Sequence, residues 1–451
     1  MASEHVLGSV DECVAWVLAG AKPRERFRMG AEYERLVFDE QGALVPYHGP
    51  RGIAAIFDRL IDRHGWVPVV EGDNPIALER GKASISLEPA GQLELSGAPL
   101  RTVTELAAER DAHLAELEGI CQELGLHTAF VGMNPISAPA LAPKMPKKRY
   151  DTMRAWMPQV GSRGLDMMHL TCTVQINIDF SSEDDAMEML RLGMLATPAL
   201  IALFAASPWR AGAPTGMAST RAWVWEDVDP ARCTPGDWIW RRDVRVRDYI
   251  EWALDVPMYF ARHRNEAGDK VYMAPERPGQ TFRQMMAHGD RGRAATLDDL
   301  ELHLSTVFPD VRMKKFLELR ACDCVPPDLL TALPALAKGL FYDPTARAAA
   351  LALLRDGDLI ASRQPLRAAA ARDGLAARVG DVALGPLAIT LIDLARTGLR
   401  RLDAEWGEDP GAHVALDAID AIARGQRRPI WQDVDAALRA QPSLLALRPF
   451  R

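Results

Sequence analysis

The chain has 451 residues, of which 48% are hydrophobic and 25% are charged, and its formal net charge is −8. This is more chain than one hydrophobic core usually spans, so we expect one large unit with a helical extension, or two domains. The acidic balance excludes a general nucleic-acid-binding surface, although a local basic pocket for an anionic substrate stays open.

The cysteines and the apolar segments predict a cytoplasmic protein without a membrane anchor. The six cysteines are too scattered for a disulfide framework or a zinc site, and we expect reduced thiols. The first twelve residues carry three acids and no basic run, unlike a secretory signal. The uncharged run 192–209 approaches the length of a membrane span. It contains Pro198 and follows a capping box of Ser182 and Asp185, so we predict a buried core helix.

Apolar residues at helical spacing predict several helices. They cover residues 8–21, 52–64, 102–125, 183–206 and 298–308. From about residue 327 the sequence is helical, rich in Ala, Leu and Arg, and without clustered acids. We therefore predict an α+β protein. Its larger domain covers residues 1–345, and a helical C-terminal region over residues 346–451 packs on that domain.

Residues 28–38 predict a short strand in which Glu32 and Glu34 point to the same face. Two neighbouring carboxylates repel each other, and an ordinary half-buried strand would carry Val, Ile or Thr there. One interpretation is a solvated face. The other is a cationic partner, for which a divalent metal is the strongest candidate. Acids that recur on other predicted strands favour the metal.

The first recurrence is a predicted antiparallel hairpin over residues 83–96. Polar and apolar side chains alternate on both sides of a Pro-Ala-Gly turn, which places Glu88 and Glu94 on polar faces of adjacent strand segments. The second recurrence is the strand 316–323, where Glu318 and Arg320 share a face.

The strictest alternation lies in residues 171–180. Their polar, nearly uncharged face carries Thr173 and Gln175, and it either lies open to water or floors a polar cavity. Residues 139–150 form a loop that ends in the basic run 147–150 (KKRY), which is either solvated or clamps phosphates or a carboxylate. The alternating stretch 220–225 is expected at the mouth of a site.

The strand acids and the basic residues together indicate phosphoryl transfer. Carboxylate oxygens without His or Cys suit Mg²⁺ rather than Zn²⁺. Arg320 and the basic loop supply positive charge for polyphosphate oxygens. No Walker A or G-x-G-x-x-G sequence occurs, so neither P-loop nor Rossmann chemistry is indicated, and no nucleophile elbow supports a Ser/His/Asp hydrolase.

Several motifs, in the family's order, resemble the plant and proteobacterial type of glutamate–cysteine ligase. The resemblance covers roughly residues 28–345, and the C-terminal region resembles the family only in its helical character. The motifs are MGAEYER (29–35), ISLEPAGQLELSGAP (85–99), KRYD (148–151), LDMM (165–168), TCTVQINIDF (171–180), ASP (206–208) and ALDVPMYF (253–260).

The resemblance implies a glutamine-synthetase-like fold, in which an antiparallel sheet forms a funnel surrounded by helices. ATP and Mg²⁺ would bind at one end of the funnel and the amino acids at the other. The γ-carboxylate of glutamate would be phosphorylated by ATP, and the amine of cysteine would then displace phosphate. The product would be γ-glutamylcysteine, the first intermediate of glutathione synthesis.

Carried over position by position, the resemblance also implies site residues. The acids that would hold Mg²⁺ are Glu32, Glu34, Glu88, Glu94 and Glu318. Glu34 and Arg320 would be catalytic, and Lys148 and Arg320 would contact the nucleotide phosphates. Arg221 would bind the glutamate α-carboxylate. The rest of the substrate pocket would comprise Tyr150, Trp225, Tyr259, Arg149, Thr173 and Gln175.

The chain departs from the family's pattern at several positions. Tyr33 stands where the family usually has His, His169-Leu170 replaces a common Arg-Thr pair, and Ala206 replaces Asn. After Arg320, a Gly-rich run is replaced by ACDCVP (321–326). The acids are intact, so these changes bear on the amine acceptor more than on the ATP and Mg²⁺ chemistry.

Two alternatives stay open. The chain could join glutamate to a different amine, or it could be a non-catalytic sensor of glutamate or nucleotide. The intact acids and Arg320 favour an enzyme. Expected partners are glutamate, cysteine and ATP, without nucleic acid or membrane, in a monomer or a homodimer. The sequence does not decide whether the loop 262–280 closes over the substrate.

Overall fold

A computed structural model describes residues 5–241, 243–264, 270–355 and 357–451 of the chain. Segments of alternating polarity form strands, as the sequence predicts for β1, β4, β5, β7 and β13. In chain order the strands are β1 Met29–Asp39, β2 Val67–Glu71, β3 Asn74–Arg80, β4 Ala83–Leu87, β5 Leu93–Ser96, β6 Leu126–Ala129, β7 Thr173–Ile178, β8 Trp209–Arg210, β9 Ala213–Pro214, β10 Ala261–Arg264, β11 Lys270–Met273, β12 Val311–Met313, β13 Leu317–Asp323, β14 Arg378–Val379 and β15 Val382–Ala383.

Nine of these strands form one antiparallel sheet, and β1 lies near its middle. The strand order is β12-β13-β7-β1-β5-β4-β3-β2, and β6 pairs with the second half of β1. Glu32 on β1 stands opposite Gln175 on β7 and Ser96 on β5, and Glu34 stands opposite Glu94. Because opposed residues in adjacent strands point to the same side, this register gathers the predicted acids on one face.

Helices surround the sheet. In chain order they are α1 Val10–Leu18, α2 Ile53–His64, α3 Val103–Leu124, α4 Arg149–Val160, α5 Gly164–Leu170, α6 Glu183–Leu203, α7 Thr220–Val224, α8 Pro230–Cys233, α9 Val246–Leu254, α10 Phe282–His288, α11 Leu297–Ser305, α12 Pro327–Leu330, α13 Ala332–Ala337, α14 Pro344–Leu354, α15 Gly357–Ala361, α16 Arg363–Asp373, α17 Leu384–Trp406, α18 Asp417–Ala423 and α19 Ile430–Ala440. Helices α2, α3, α6 and α13 pack against strands of the large sheet. The predicted α+β class, with an antiparallel sheet surrounded by helices, is confirmed.

Helix α6 is the central apolar helix. By length and composition it could cross a membrane, but 89% of its most apolar 18-residue window is buried inside the protein. Ser182 caps its first turn by accepting a hydrogen bond from the backbone amide of Asp185. Pro198 lies within the helix. The predicted buried core helix is therefore confirmed.

The C-terminal helices share the main hydrophobic core with the sheet. Asp409 links the two parts of the chain, because it accepts hydrogen bonds from Lys338 Nζ and from the backbone amide of Val103, each at 2.7 Å. Helix α14 begins at Pro344 and runs through the predicted boundary between residues 345 and 346. That boundary stays a prediction.

Some local predictions differ from the structure. The alternating stretch 220–225 begins as helix α7, because Ser219 caps it by accepting from the Ala222 amide. The apolar strand predicted at 129–132 lies earlier, at β6. Strand β3 was not predicted, because residues 75–78 (PIAL) are all apolar and show no alternation of polarity. Residues 265–269 of the predicted loop 262–280 lie outside the described residues. On either side of them, β10 and β11 pair antiparallel.

Candidate active site

The polar face of the large sheet lines a cavity of about 310 Å³. Four carboxylates and four guanidinium groups line its walls: Glu32, Glu34, Glu88, Glu94, Arg149, Arg221, Arg312 and Arg320. A larger cavity of about 710 Å³ lies beside α6, but none of the predicted site residues lines it. Because the chemistry converges on the smaller cavity, we take that cavity as the candidate active site.

Strand β1 provides two of the acids, and strand β7 holds both. Glu34 accepts a hydrogen bond from the backbone amide of Thr173 at 2.8 Å, and Glu32 accepts one from Asn177 Nδ2 at 2.7 Å. The polar face of β7 therefore floors a cavity, rather than lying open to water. Tyr33, between the two acids, points to the opposite side of the sheet, where it is buried.

The hairpin of β4 and β5 provides the other two cavity acids. Ser86 Oγ donates to Glu94 Oε2 at 2.7 Å, and Glu88 lies in the turn that joins the two strands. Gln92 fixes this turn, because its side-chain Nε2 donates to the Thr171 carbonyl at 3.1 Å. The predicted hairpin thus places its carboxylates against those of β1.

Glu32, Glu34 and Glu94 hold their protons more tightly than ordinary glutamates. Burial, followed by the neighbouring carboxylates, raises the pKa of Glu32 and of Glu94 to about 7. Burial, with the charges of Glu94 and Glu88, raises the pKa of Glu34 well above its ordinary value. Such a cluster is stabilised in its ionised form by cations within the cavity.

The donor atoms of the cavity suit a hard cation such as Mg²⁺, because they are carboxylate oxygens. Within the described residues, no three side chains of the His, Cys, Asp and Glu types converge closely enough to hold one ion by themselves. Mg²⁺ usually keeps several waters and binds one or two carboxylates together with substrate phosphates. The separated acids therefore fit ions that share their coordination with a polyphosphate.

Strand β13 carries Glu318 and Arg320 on one face, as predicted, but the two residues differ in position. Arg320 lines the cavity, and its Nη1 donates to Gln175 Oε1 at 2.7 Å and also to Glu318. Glu318 is fully buried and does not line the cavity. Although burial opposes it, Arg312, Lys314 and Arg320 hold the pKa of Glu318 well below its ordinary value.

This pairing bears on the metal role expected for Glu318. Both of its oxygens accept hydrogen bonds from Arg312 Nη2, at 2.8 and 2.7 Å, and Lys314 Nζ lies 3.3 Å away. In this arrangement Glu318 positions the guanidinium groups of Arg312 and Arg320, which line the cavity. Coordination of Mg²⁺ by Glu318 stays a prediction.

Arg221 is almost completely buried at the start of α7. Its Nη1 and Nη2 donate to the carbonyls of Ala321 and Arg320, at 3.1 and 2.8 Å, and its backbone amide donates to Ser207 Oγ. The Nε atom has no hydrogen-bond partner among the described residues. The guanidinium is thus rigidly held beside Arg320, and it has N–H groups, including Nε–H, that these carbonyls do not use.

Most of the other predicted pocket residues also line the cavity: Arg149, Tyr150, Thr173, Gln175 and Trp225. Two do not. Lys148 is exposed on the loop before α4. Tyr259 is buried elsewhere, where its ring lies 3.5 Å from the guanidinium carbon of Arg232 and its hydroxyl donates to Met157 Sδ. The positions of Lys148 and Tyr259 do not support their predicted contacts with substrates, and these contacts stay predictions.

Two basic residues near the site are absent from the predicted set of site residues, although one of them, Lys147, belongs to the predicted basic loop. Lys147 is buried, donates from Nζ to the Leu87 carbonyl at 3.1 Å, and has its pKa lowered to about 7 by burial and by Arg149. The basic run 147–149 signalled it, but sequence could not tell which lysine turns inward. Arg312 lines the cavity from the three-residue strand β12, which is too short to show a period.

Carboxylates and arginines gathered on one face of an antiparallel sheet are typical of an enzyme that acts on charged oxygen groups. The chain belongs to glutamate–cysteine ligase family 2 (GCS2), which it matches over residues 28–425. It is therefore a ligase, and the resemblance seen in its motifs is confirmed. The family match also extends beyond residue 345, into the C-terminal helices.

Curated plant proteins are similar along most of the chain. The chain is 40% identical over 417 residues to the chloroplastic glutamate–cysteine ligase of Arabidopsis thaliana, covering 92% of this chain and 77% of that protein. It is 39% identical over 394 residues to chloroplastic glutamate–cysteine ligase B of Oryza sativa subsp. japonica, covering 87% and 77%. The prediction of a cytoplasmic protein is contradicted by this comparison, because these relatives are named as chloroplastic.

Solved structures share the fold. A glutamate–cysteine ligase of Francisella tularensis in complex with AMP superposes with a TM-score of 0.53 at 13% identity, covering 94% of this chain and 87% of that one. A bifunctional glutathione synthetase from Pasteurella multocida gives a TM-score of 0.55 at 11% identity, covering 99% and 54%. At these low sequence identities, the two comparisons show a shared fold and not a shared function.

Proposed function

We propose that the chain joins the γ-carboxylate of glutamate to the amine of L-cysteine at the expense of ATP, with Mg²⁺ as cofactor. The product is γ-glutamylcysteine, and the reaction is the first step of glutathione synthesis. The observation that carries the proposal is the convergence of four glutamates and of Arg221 and Arg320 on one cavity, in a chain of this ligase family.

The proposed reaction has two steps. The γ-carboxylate attacks the γ-phosphorus of ATP, so that a carboxyl oxygen–phosphorus bond forms and ADP leaves. The cysteine amine then attacks the acyl carbon of γ-glutamyl phosphate, the amide bond forms, and phosphate leaves with the acyl carbon–oxygen bond broken. The amine loses a proton in this second step.

The acids Glu32, Glu34, Glu88 and Glu94 are the residues that would hold Mg²⁺. Bound there, Mg²⁺ would neutralise the phosphate oxygens and relieve the repulsion within the acid cluster. Arg320 stabilises the charge that develops on the transferred phosphoryl group, because it lies on the cavity wall and is fixed by Gln175.

The amino-acid side of the site is assigned to rigid basic and aromatic groups. Arg221 binds the α-carboxylate of glutamate through its remaining N–H groups, and its position is fixed by two backbone carbonyls. Arg149 and Tyr150 line the same cavity, and Tyr150 Oη donates to the Leu87 carbonyl at 2.5 Å. Trp225 closes the pocket next to Arg221, with its ring centre 5.9 Å from the guanidinium carbon.

An amine-dependence assay tests the proposal. The full chain is incubated with ATP, Mg²⁺ and glutamate, single amines are added in turn, and both phosphate and the ligated product are measured. We expect phosphate release that requires glutamate and cysteine together, with γ-glutamylcysteine as the product. Omission of each substrate in turn is the control.

The other outcomes separate the alternatives. Release that depends on another amine, with cysteine inactive, identifies a ligase with a different acceptor and contradicts the proposed substrate. Binding of glutamate or ATP by calorimetry, without phosphate release for any amine, identifies a non-catalytic sensor.

A further inference from the structure

A cluster of buried polar side chains lies behind β1, on the side of the sheet opposite to the catalytic cavity. Tyr33, Arg35 and His113 are each at most 3% exposed. The rings of Tyr33 and His113 lie 6.2 Å apart. The guanidinium carbon of Arg35 lies 5.8 Å from the ring centre of Tyr33 and 4.6 Å from that of Phe130. The proposed reaction uses none of these side chains.

Five buried polar atoms of this cluster lack hydrogen-bond partners among the described residues. Among the described residues, none accepts from or donates to Tyr33 Oη, Arg35 Nε, Arg35 Nη2 or either ring nitrogen of His113. A guanidinium supplies only donors, and a phenol and a neutral imidazole each supply one. The shared need of the three side chains is therefore an acceptor, because buried donors are almost always hydrogen-bonded in native proteins.

The cluster also carries an uncompensated positive charge. Arg35 forms no ion pair with a carboxylate among the described residues. Glu109, whose charge acts on Tyr33, accepts instead from the backbone amide of Ala98 at 2.8 Å. A buried charge without a partner is strongly destabilising.

Neighbouring side chains do not supply the missing negative charge. Burial raises the pKa of the Cys121 thiol to about 11 and also raises that of Cys324, so both are protonated near neutral pH. The ring of Phe130 stabilises the face of the Arg35 guanidinium, but the N–H groups lie in the guanidinium plane and are not satisfied by it.

We propose that Tyr33, Arg35 and His113 form a binding site for a small monovalent inorganic anion such as chloride. An anion within reach of the three side chains would accept from each of them and would neutralise the guanidinium, whereas a water molecule would accept hydrogen bonds but leave the charge uncompensated. Since Tyr33 and Arg35 alternate along β1 with Glu32 and Glu34, the anion would stabilise the strand that carries the catalytic acids. Its role is structural and does not depend on which amine the enzyme uses.

The first test is thermal unfolding of the full chain in sodium chloride and in sodium gluconate of the same ionic strength. We expect Tm in chloride to exceed Tm in gluconate by about 2 °C once chloride is tenfold above its Kd. Tyr33→Phe removes one donor and should raise the half-maximal chloride concentration about tenfold. Arg35→Met should abolish the difference between the two salts.

Arg232→Met is the matched control, because Arg232 is equally buried but donates to Asp229 and to the carbonyls of Thr306 and Pro257. It should lower Tm in both salts and keep their difference. Crystals of the unmodified chain grown in bromide provide an independent measurement. This measurement tests the anion site even if the Arg35→Met variant does not fold. An anomalous peak beside Arg35 supports the site. Equal Tm values in the two salts and no bromide peak would mean that water occupies the cluster, and would overturn the proposal.

Discussion

Thr173 donates its backbone N–H to Glu34 Oε2 at 2.8 Å, across the seam between β7 and β1. This bond holds the Glu34 carboxylate in place without neutralising it. The hydrogen bond involves only one of the two carboxylate oxygens. Burial, together with the charges of Glu94 and Glu88, raises the pKa of Glu34. The side chain is thus positioned by a neutral partner and still requires a cation, which is the condition expected of a metal ligand.

Glu34→Gln tests this assignment. The amide oxygen of Gln can still accept from Thr173, so the fold should be retained, while the negative charge is lost. We expect kcat to fall about 100-fold or more in the phosphate-release assay, because the variant lacks a carboxylate that would hold Mg²⁺ at the transferring phosphate. Glu301→Gln, at an exposed position of α11, should keep full activity. Unchanged turnover in Glu34→Gln would count against the metal site.

Stability without divalent cations should fall as the pH rises. The pKa values of Glu32 and Glu94 rise from 4.5 to about 7 on folding, so between these values the folded chain binds more protons than the unfolded chain. The contribution of these two acids to the free energy of unfolding is therefore fully present below about pH 4.5 and is lost as the pH rises through about 7.

Calorimetry with EDTA and with Mg²⁺ at pH 5 and pH 8 measures this effect. We expect Mg²⁺ to raise Tm more at pH 8 than at pH 5, since only the ionised acids need it. Glu94→Gln should weaken the pH dependence. An equal Mg²⁺ effect at both pH values would contradict the prediction.

Arg320→Met should separate catalysis from folding. Glu318 keeps its hydrogen bonds to Arg312, so we expect a folded protein. Without the guanidinium, kcat should fall about 100- to 1,000-fold at saturating substrates. Steady-state kinetics against Arg428→Met, an exposed arginine, provide the comparison. A change confined to the KM for glutamate would instead assign Arg320 to substrate binding.

Asp409→Ala should destabilise the protein without touching the cavity. Asp409 accepts from Lys338 Nζ and the Val103 amide, and its loss leaves Lys338 buried without an acid. We expect a cost of about 3–5 kcal/mol in urea unfolding. The exposed Asp62→Ala should change little. The double variant Asp409→Ala with Lys338→Met should recover part of the loss, because it removes the unpaired charge. Full stability in Asp409→Ala would contradict the link between the two parts of the chain.

Sequence periodicity predicts much of the fold because the strands that build the site are half-buried and alternate strictly. Strands β1 and β7 contain their acids and amides at every second residue, so their common face is visible without a structure. Helix α2 ends where predicted because Gly65 adopts the left-handed conformation that closes it, with φ of 70°.

The rest depends on contacts between distant segments. The pairing of Glu318 with Arg312 follows from the register between β12 and β13, and a three-residue strand carries no period from which to infer it. In the loop before α4, Lys147 turns inward and Lys148 outward, and no periodic backbone sets that choice. The unmet donors behind β1 become visible only when α3 brings His113 against Tyr33.

Asp323, at the end of β13, accepts from the Ala206 amide and from Ser207 Oγ and Ser219 Oγ. The backbone of Gly132 passes so close that a Cβ there would lie 2.3 Å from the Asp323 carboxyl carbon. A single methyl group at position 132 would therefore push on the carboxylate that anchors the segment carrying Arg221. Variation near the site is therefore also restricted at Gly132, which does not line the catalytic cavity.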